Sequence, residues 1–106
     1  MTKRDIYPDH PGIILKEEFL EPMGIRPGTL SRALQVSRDR IAELVKGKRD
    51  VTPDTALRLG AFFDMSPEFW LNLQYHYDLV ITEKDFSTKI LNSIKMSRKE
   101  FVLLSH

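Results

Sequence analysis

Apolar residues recur at helical spacing along most of the chain, and no run of four or more residues alternates like a strand between turn signals. The pattern predicts five helices, over residues 12–20, 27–34 and 37–46, a fourth starting at residues 52–53, and a fifth over residues 66–81. A chain of 106 residues is long enough for one small domain with one modest core.

Capping residues mark most of the predicted helix ends. Ser37, Thr52 and Ser66 each precede a helix, where a side-chain hydroxyl can accept a hydrogen bond from a free amide of the first turn. Gly47 can take the left-handed conformation that ends the third helix. Pro22 is expected to close the first helix, because proline disfavours helix in the residue before it.

Residues 82–106 show a weaker pattern. Ile90, Leu91 and Ile94 favour another helix, whereas the apolar run at 101–104 either finishes that helix or forms a short strand. We therefore divide the chain into a domain at residues 1–81 and a C-terminal extension at residues 82–106.

The second and third predicted helices, joined by Gln35 and Val36, have the layout of a helix-turn-helix. Ala33 is small where two helices must approach closely. Apolar residues spaced to fill the wedge between the helices are Leu30, Leu34, Val36, Ile41 and Leu44. The same apolar positions also suit an ordinary helical hairpin, so the layout alone leaves both interpretations open.

Charge is distributed unevenly, although the formal net charge is only +1. Residues 26–49 hold seven basic and two acidic side chains, whereas residues 1–25 hold three basic and five acidic ones. A basic segment confined to one stretch favours a phosphate-facing surface. A solvated pair of charged helices would show the same excess.

In a helix-turn-helix, the N-terminal end of the second helix enters the major groove of DNA. Arginine can donate two hydrogen bonds to guanine there. The predicted base-reading residues are Ser37, Arg38, Asp39, Arg40 and Glu43. Asp39 has an alternative role as a first-turn acid that complements the helix dipole. The predicted contacts with the DNA backbone are Arg32, Lys46, Lys48, Arg49 and Thr52.

The sequence gives little support for a metal site, a catalytic site or a phosphate-binding loop. There is no cysteine, and His10, His76 and His106 are too scattered for a metal site. No serine lies in a nucleophile motif, and no glycine-rich loop could hold a phosphate. We expect no enzyme activity, catalytic residue, cofactor, metal or small-molecule substrate. No signal peptide or membrane span is expected either, since no apolar run exceeds about five residues and a span needs roughly 20. The cytoplasm is the simplest compartment.

The chain resembles HigA-type antitoxins, which are helix-turn-helix proteins of the Xre group. The resemblance covers about residues 8–81, and it lies in residues 10–15 (HPGIIL), 37–45 (SRDRIAELV), 47–49 (GKR), 52–59 (TPDTALRL) and 66–74 (SPEFWLNLQ). It implies an all-α fold, a five-helix bundle of lambda-repressor-like type with an additional C-terminal helix or short strand. It also implies a homodimer that binds double-stranded operator DNA, represses its own operon and neutralises a RelE-like mRNA endonuclease, HigB. The alternative is a stand-alone regulator without a toxin partner.

The chain departs from the family pattern at two positions of the helix-turn-helix. A Ser or Thr followed by Gln commonly opens the second helix of the family, where the Gln touches the DNA backbone. Here these residues are Arg26 and Pro27, so that contact is either lost or made by Arg26 or Thr29. The turn glycine of the family is replaced by Gln35, which would have to adopt a positive φ.

A palindromic operator and a small DNA-binding surface both favour a dimer. The apolar candidates for its interface are Trp70, Ile90, Leu91, Ile94, Phe101, Leu103 and Leu104. The aromatic residues around Trp70 could instead stack on RNA bases, but core packing or subunit contact fits their helical spacing better. The N-terminal arm and the first helix remain available for the toxin, because DNA does not need them.

Overall fold

The structure is a computed structural model that describes residues 9–104. Within these residues it has six helices and no strand. Their bounds are Pro11–Met23 (α1), Pro27–Leu34 (α2), Arg38–Val45 (α3), Pro53–Phe63 (α4), Pro67–Asp85 (α5) and Thr88–Leu104 (α6). The predicted all-α class is confirmed, and the apolar run at 101–104 finishes a helix.

The predicted helix starts are confirmed at three hydroxyl caps. The Ser37 Oγ accepts a hydrogen bond from the Arg40 amide at 3.1 Å. The Thr52 and Ser66 hydroxyls accept from amides of the first turns of α4 and α5, at 3.3 and 3.2 Å. These caps fix where α3, α4 and α5 begin.

Helix α1 continues through Pro22, contrary to the expectation that this proline would end it. α1 consists of the α-helical segments Pro11–Ile14 and Glu21–Met23 on either side of a π-helical segment, Leu15–Leu20. After the widened π turn, Pro22 falls in the first turn of a new α-helical segment, where its missing N–H costs no hydrogen bond. Gly24, with φ of 66°, then ends the helix.

Two turn predictions are confirmed by the backbone. Gln35 has φ of 60° and Gly47 has φ of 74°, both in the left-handed region. Asp64 adopts φ of 54° at the end of α4, which the sequence analysis did not anticipate.

Buried side chains from all of the helices α1 to α5 form the core, and Trp70 is the largest of those that are fully buried. Phe19 packs against both Phe63 and Trp70, with ring centroids 5.1 Å apart in each pair. Trp70 is fully buried, so its prediction as a dimer-interface residue is wrong, as is the stacking alternative for that residue. Helical spacing shows that a residue is on an apolar face, but not whether that face meets the core or a partner.

Helix α1 lies directly behind α3. A Cβ built on Gly12 would lie 1.6 Å from the Leu44 carbonyl oxygen, so only glycine allows the two backbones to come this close. The first turn of α1 therefore fixes the back of the third helix.

Helix α6 follows the break at Phe86 and Ser87, and every one of its residues is exposed. Helix α5 runs to Asp85, so the boundary proposed at residues 81 and 82 falls inside a helix. In the part of the chain between residues 9 and 104, no helix has the length and apolar character needed to cross a membrane.

Candidate nucleic-acid interface

Helices α2 and α3 are joined by a tight turn. The Val36 amide donates to the Ser31 carbonyl at 3.0 Å, and the Ser31 hydroxyl donates to the Gly28 carbonyl at 2.7 Å. The predicted wedge is confirmed, because Leu30, Leu34, Ile41 and Leu44 are buried and Val36 is partly buried. Ala33, by contrast, is exposed, so the α2–α3 contact does not depend on its small size.

The leading end of α3 faces outward. Ser37, Arg38 and Asp39 are exposed, and the side chains of Arg38 and Asp39 have no hydrogen bond or ion pair with any residue between 9 and 104. The Arg38 guanidinium passes over α2 at Gly28, where a Cβ would lie 3.1 Å from its Nη2. Arg38 is thus available to a ligand in front of α3.

Arg40 points elsewhere, so its prediction as a free base-reading residue is wrong. Its Nη2 donates to Asp54 Oδ2 and, at 2.7 Å, to Thr55 Oγ1 in the first turn of α4. The side chain is only 24% exposed. Two residues beyond Arg38, the helix has turned by about 200°, which brings Arg40 against α4.

Asp54 is also bonded to a second arginine that the sequence analysis missed. Arg58 Nε donates to Asp54 Oδ2 at 3.1 Å, and Arg58 Nη1 donates to the Leu34 carbonyl at 2.6 Å. The hydrogen bonds from Arg40 and then Arg58 hold the pKa of the Asp54 carboxyl below its usual value. The i, i+4 spacing of Asp54 and Arg58 was a signal in the sequence, but the bond to α2 was not.

Glu43 and Arg49, predicted to contact a base and the DNA backbone, are paired with each other. Arg49 Nε and Nη2 both donate to Glu43 Oε2, at 3.0 and 2.8 Å. Glu43 is therefore occupied as an acceptor, and it neutralises part of the charge that Arg49 would present to a phosphate. This pair corrects the independent roles predicted for the two residues.

The remaining backbone candidates lie around α3. Arg26, Thr29, Arg32, Lys46, Lys48 and Thr52 are all exposed. A shallow depression on the outer face of α3 is lined by Asp39, Ala42, Glu43, Lys46 and Lys48. Arg40, Arg49 and Thr52 line a second one toward α4, whereas Arg26 lines a separate groove against α1. Arg26 is thus separated from the candidates after α3, and Thr29 and Arg32 line none of these three depressions.

The loop before α4 is held from behind by a buried glutamine. Gln74 Oε1 accepts a hydrogen bond from the Val51 amide at 2.8 Å, and Gln74 Nε2 donates to Asp78 Oδ1 at 2.9 Å. In the sequence, Gln74 stands out only as part of the family-like stretch at residues 66–74. The bond places Thr52 at a fixed distance from the core.

The histidines have structural positions. His10 caps α1, where its Nδ1 accepts from the Gly12 amide at 2.9 Å, and His10 is buried against the edge of Tyr77. His76 is exposed on α5. His106 lies outside the described residues. No cluster of three metal-ligating side chains occurs in residues 9–104.

A short helix, a tight turn and a second helix with an exposed basic leading end define a helix-turn-helix DNA-binding protein. A sequence profile of the helix-turn-helix family matches residues 16–70. The chain belongs to this family, the Xre group, and its relatives include HigA antitoxins.

Three relatives illustrate the similarity. Antitoxin HigA-1 of Vibrio cholerae is 42% identical over 79 residues, which is 74% of each chain. The structure of Pseudomonas aeruginosa antitoxin HigA with the higBA promoter matches with a TM-score of 0.70 and 39% identity, covering 76% of this chain and 97% of that one. The P. aeruginosa protein PA4674, solved with its 18-bp operator DNA, matches with a TM-score of 0.78 and 41% identity over 81% of this chain and 92% of that one.

Proposed function

We propose that the protein is the antitoxin of a type II toxin–antitoxin system and represses its own operon. As a homodimer it binds operator DNA, and it binds and neutralises a RelE-like mRNA endonuclease of the HigB kind. The observation that carries the DNA-binding part is the exposed leading end of α3, together with the exposed Lys46 and Lys48 that follow its last residue and form no ion pair with residues 9–104. Such a repressor acts in the cytoplasm, where its operator is.

DNA recognition is divided between two sets of residues. Arg38, with Ser37 and Asp39, reads bases, because these side chains are exposed at the end of α3 that enters the major groove. Lys46 and Lys48 contact phosphates on the rim, together with the partly neutralised Arg49. Arg40 helps to hold α3 in position against α4 and adds to the local positive charge, but it does not contact a base itself.

Arg38→Ala and Lys48→Ala test this division in salt titrations with an operator duplex and a shuffled duplex of the same composition. Arg38→Ala is expected to lose about 1–3 kcal/mol on the operator and much less on the shuffled duplex. Lys48→Ala should weaken both duplexes alike and reduce the salt slope by about 0.9 for each half-site that the dimer occupies. Identical behaviour of the two variants would refute the division of roles.

Dimerisation through α6 follows from the apolar stripe that this helix exposes. Ile90, Ile94, Phe101 and Leu104 succeed one another by four, seven and three residues, which places them along one side of the helix. Leu91 lies about 100° to one side of this stripe and Leu103 lies nearly opposite it, and all of these side chains are exposed in the protomer. A second copy of α6 is a partner that can cover this stripe and bring two α3 helices to two half-sites.

Ile94→Ser combined with Leu104→Ser should give a monomer in sedimentation velocity at tens of micromolar. Met23→Ser is the control, because Met23 is as exposed as Ile94 but lies at the end of α1. A double variant that still sediments as the wild-type dimer would exclude this stripe as the interface.

Toxin binding is assigned to α1 and the N-terminal arm, of which residues 1–8 lie outside the described part of the chain. The acidic excess of residues 1–25 suits a basic, RNA-binding toxin. Co-expression with the neighbouring toxin-sized reading frame should restore growth and yield a co-purifying complex. Arg38→Ala should protect equally well, since it affects only DNA binding. Failure of both growth rescue and co-purification would favour the stand-alone regulator.

A further inference from the structure

We infer that Asp54 and Arg58 of α4 are positioning residues for operator recognition, because Asp54 binds the third residue of α3 and Arg58 binds the end of α2 just before α3. This inference rests on the proposed operator binding. It concerns residues outside the base-reading helix and extends the DNA-recognition machinery to α4.

The contacts form a continuous chain through three helices. Arg40 of α3 donates to Asp54 and Thr55 at the start of α4. Asp54 accepts from Arg58 at 3.1 Å, and Arg58 reaches the Leu34 carbonyl at the end of α2 at 2.6 Å. The turn that precedes α3 and the third residue of α3 are therefore both tied to the same turn of α4.

The base-reading residues lie between these two ties. Ser37, Arg38 and Asp39 fall after Leu34 and before Arg40, so the chain of contacts fixes the direction in which Arg38 leaves the helix. Bidentate contacts with a base require accurate placement of the guanidinium. Contacts with phosphates tolerate more movement, because they depend mainly on charge.

The contribution of this chain to folding is small. The Asp54 side chain is 54% exposed and that of Arg58 is 37% exposed, and ion pairs at such sites add little stability. Arg40 is more buried, but its second acceptor, Thr55, remains when Asp54 is replaced. Substitution of Asp54 or Arg58 can therefore change recognition in a chain that still folds.

An electrostatic role and a positioning role predict different outcomes when Asp54 and Arg58 are substituted. Asp54→Asn adds one positive charge, so electrostatics alone predicts tighter binding to any DNA. Arg58→Met removes one positive charge but keeps a long apolar stem, so electrostatics alone predicts weaker binding to any DNA. Positioning predicts that both variants lose preference for the operator.

The experiment measures the ratio of affinities for two duplexes by fluorescence anisotropy. One duplex comes from the region directly upstream of the operon, and the other has the same length and composition in shuffled order. We expect the ratio to fall by about tenfold in Asp54→Asn and in Arg58→Met, the loss of one well-placed base contact. Glu83→Gln is the control, since it makes the same charge change at an exposed site on α5 and should keep the wild-type ratio.

The outcomes separate this inference from the proposed function. A wild-type chain that binds both duplexes equally contradicts operator recognition itself. A wild-type chain with a clear preference that Asp54→Asn and Arg58→Met retain within twofold overturns the positioning role alone. Circular dichroism at the assay temperature checks helix content, and a loss of folded protein would lower both affinities without changing their ratio. If Asp54→Asn does not fold, Arg58→Met decides the question by the same ratio.

Discussion

The domain formed by α1–α5 and the helix α6 differ in how far their apolar residues are buried. In the domain, Leu15, Leu59 and Trp70 are completely buried, whereas Phe101 and Leu104 of α6 are 72% and 87% exposed. Both regions have apolar residues at helical spacing in the sequence, although the pattern is weaker in residues 82–106. The comparison shows that the domain buries a core of its own, while the apolar residues of α6 are left uncovered by the rest of residues 9–104.

The largest expected effect comes from comparing a substitution in the core of the domain with one in α6. Trp70→Ala should lower the free energy of unfolding by about 3–5 kcal/mol, because it empties the centre of the core. Leu104→Ala removes an apolar side chain of α6 that is 87% exposed and should leave the unfolding of the monomer almost unchanged. Urea melts of both variants, at concentrations where sedimentation shows monomers, make the comparison. A loss of several kcal/mol in Leu104→Ala would show that α6 packs on its own domain.

A smaller effect tests the buried polar contact that holds the loop before α4. Gln74→Ala leaves the buried Val51 amide without its acceptor and should cost about 1–3 kcal/mol. Asn72→Ala is the matched control on the same helix, since Asn72 is exposed. Equal midpoints for the two variants in urea unfolding would contradict the importance of this contact.

Local signals in the sequence were sufficient for most of the fold. A hydroxyl cap depends on residues within one turn, which is why Ser37, Thr52 and Ser66 marked the helix starts correctly. The left-handed conformation of Gln35 was also predicted, but from the resemblance, since Gln35 replaces the turn glycine of the family.

The candidate site was harder to predict because it depends on contacts between helices. Arg38 and Arg40 look equivalent in the sequence, but only Arg40 lies within reach of Asp54, fourteen positions away along the chain. Trp70 was assigned to an interface because periodicity identifies an apolar face without identifying what covers it. Such distinctions require the packing of α3, α4 and α5.

The smallest expected effect concerns the turn of the helix-turn-helix, where Gln35, like Asp64 at the end of α4, adopts a left-handed backbone conformation that glycine would relieve. Gln35 has φ of 60° and ψ of 46°, a conformation that costs a residue with a side chain about 1 kcal/mol. Gln35→Gly should therefore raise the free energy of unfolding by about 0.5 kcal/mol, after allowing for the greater freedom of glycine in the unfolded chain. Gln35→Ala keeps the strain and should match the wild type, since the Gln35 side chain is exposed. Urea melts of the three proteins measure the difference. A destabilised Gln35→Gly variant would mean that the Gln35 side chain stabilises the turn by more than its backbone conformation costs.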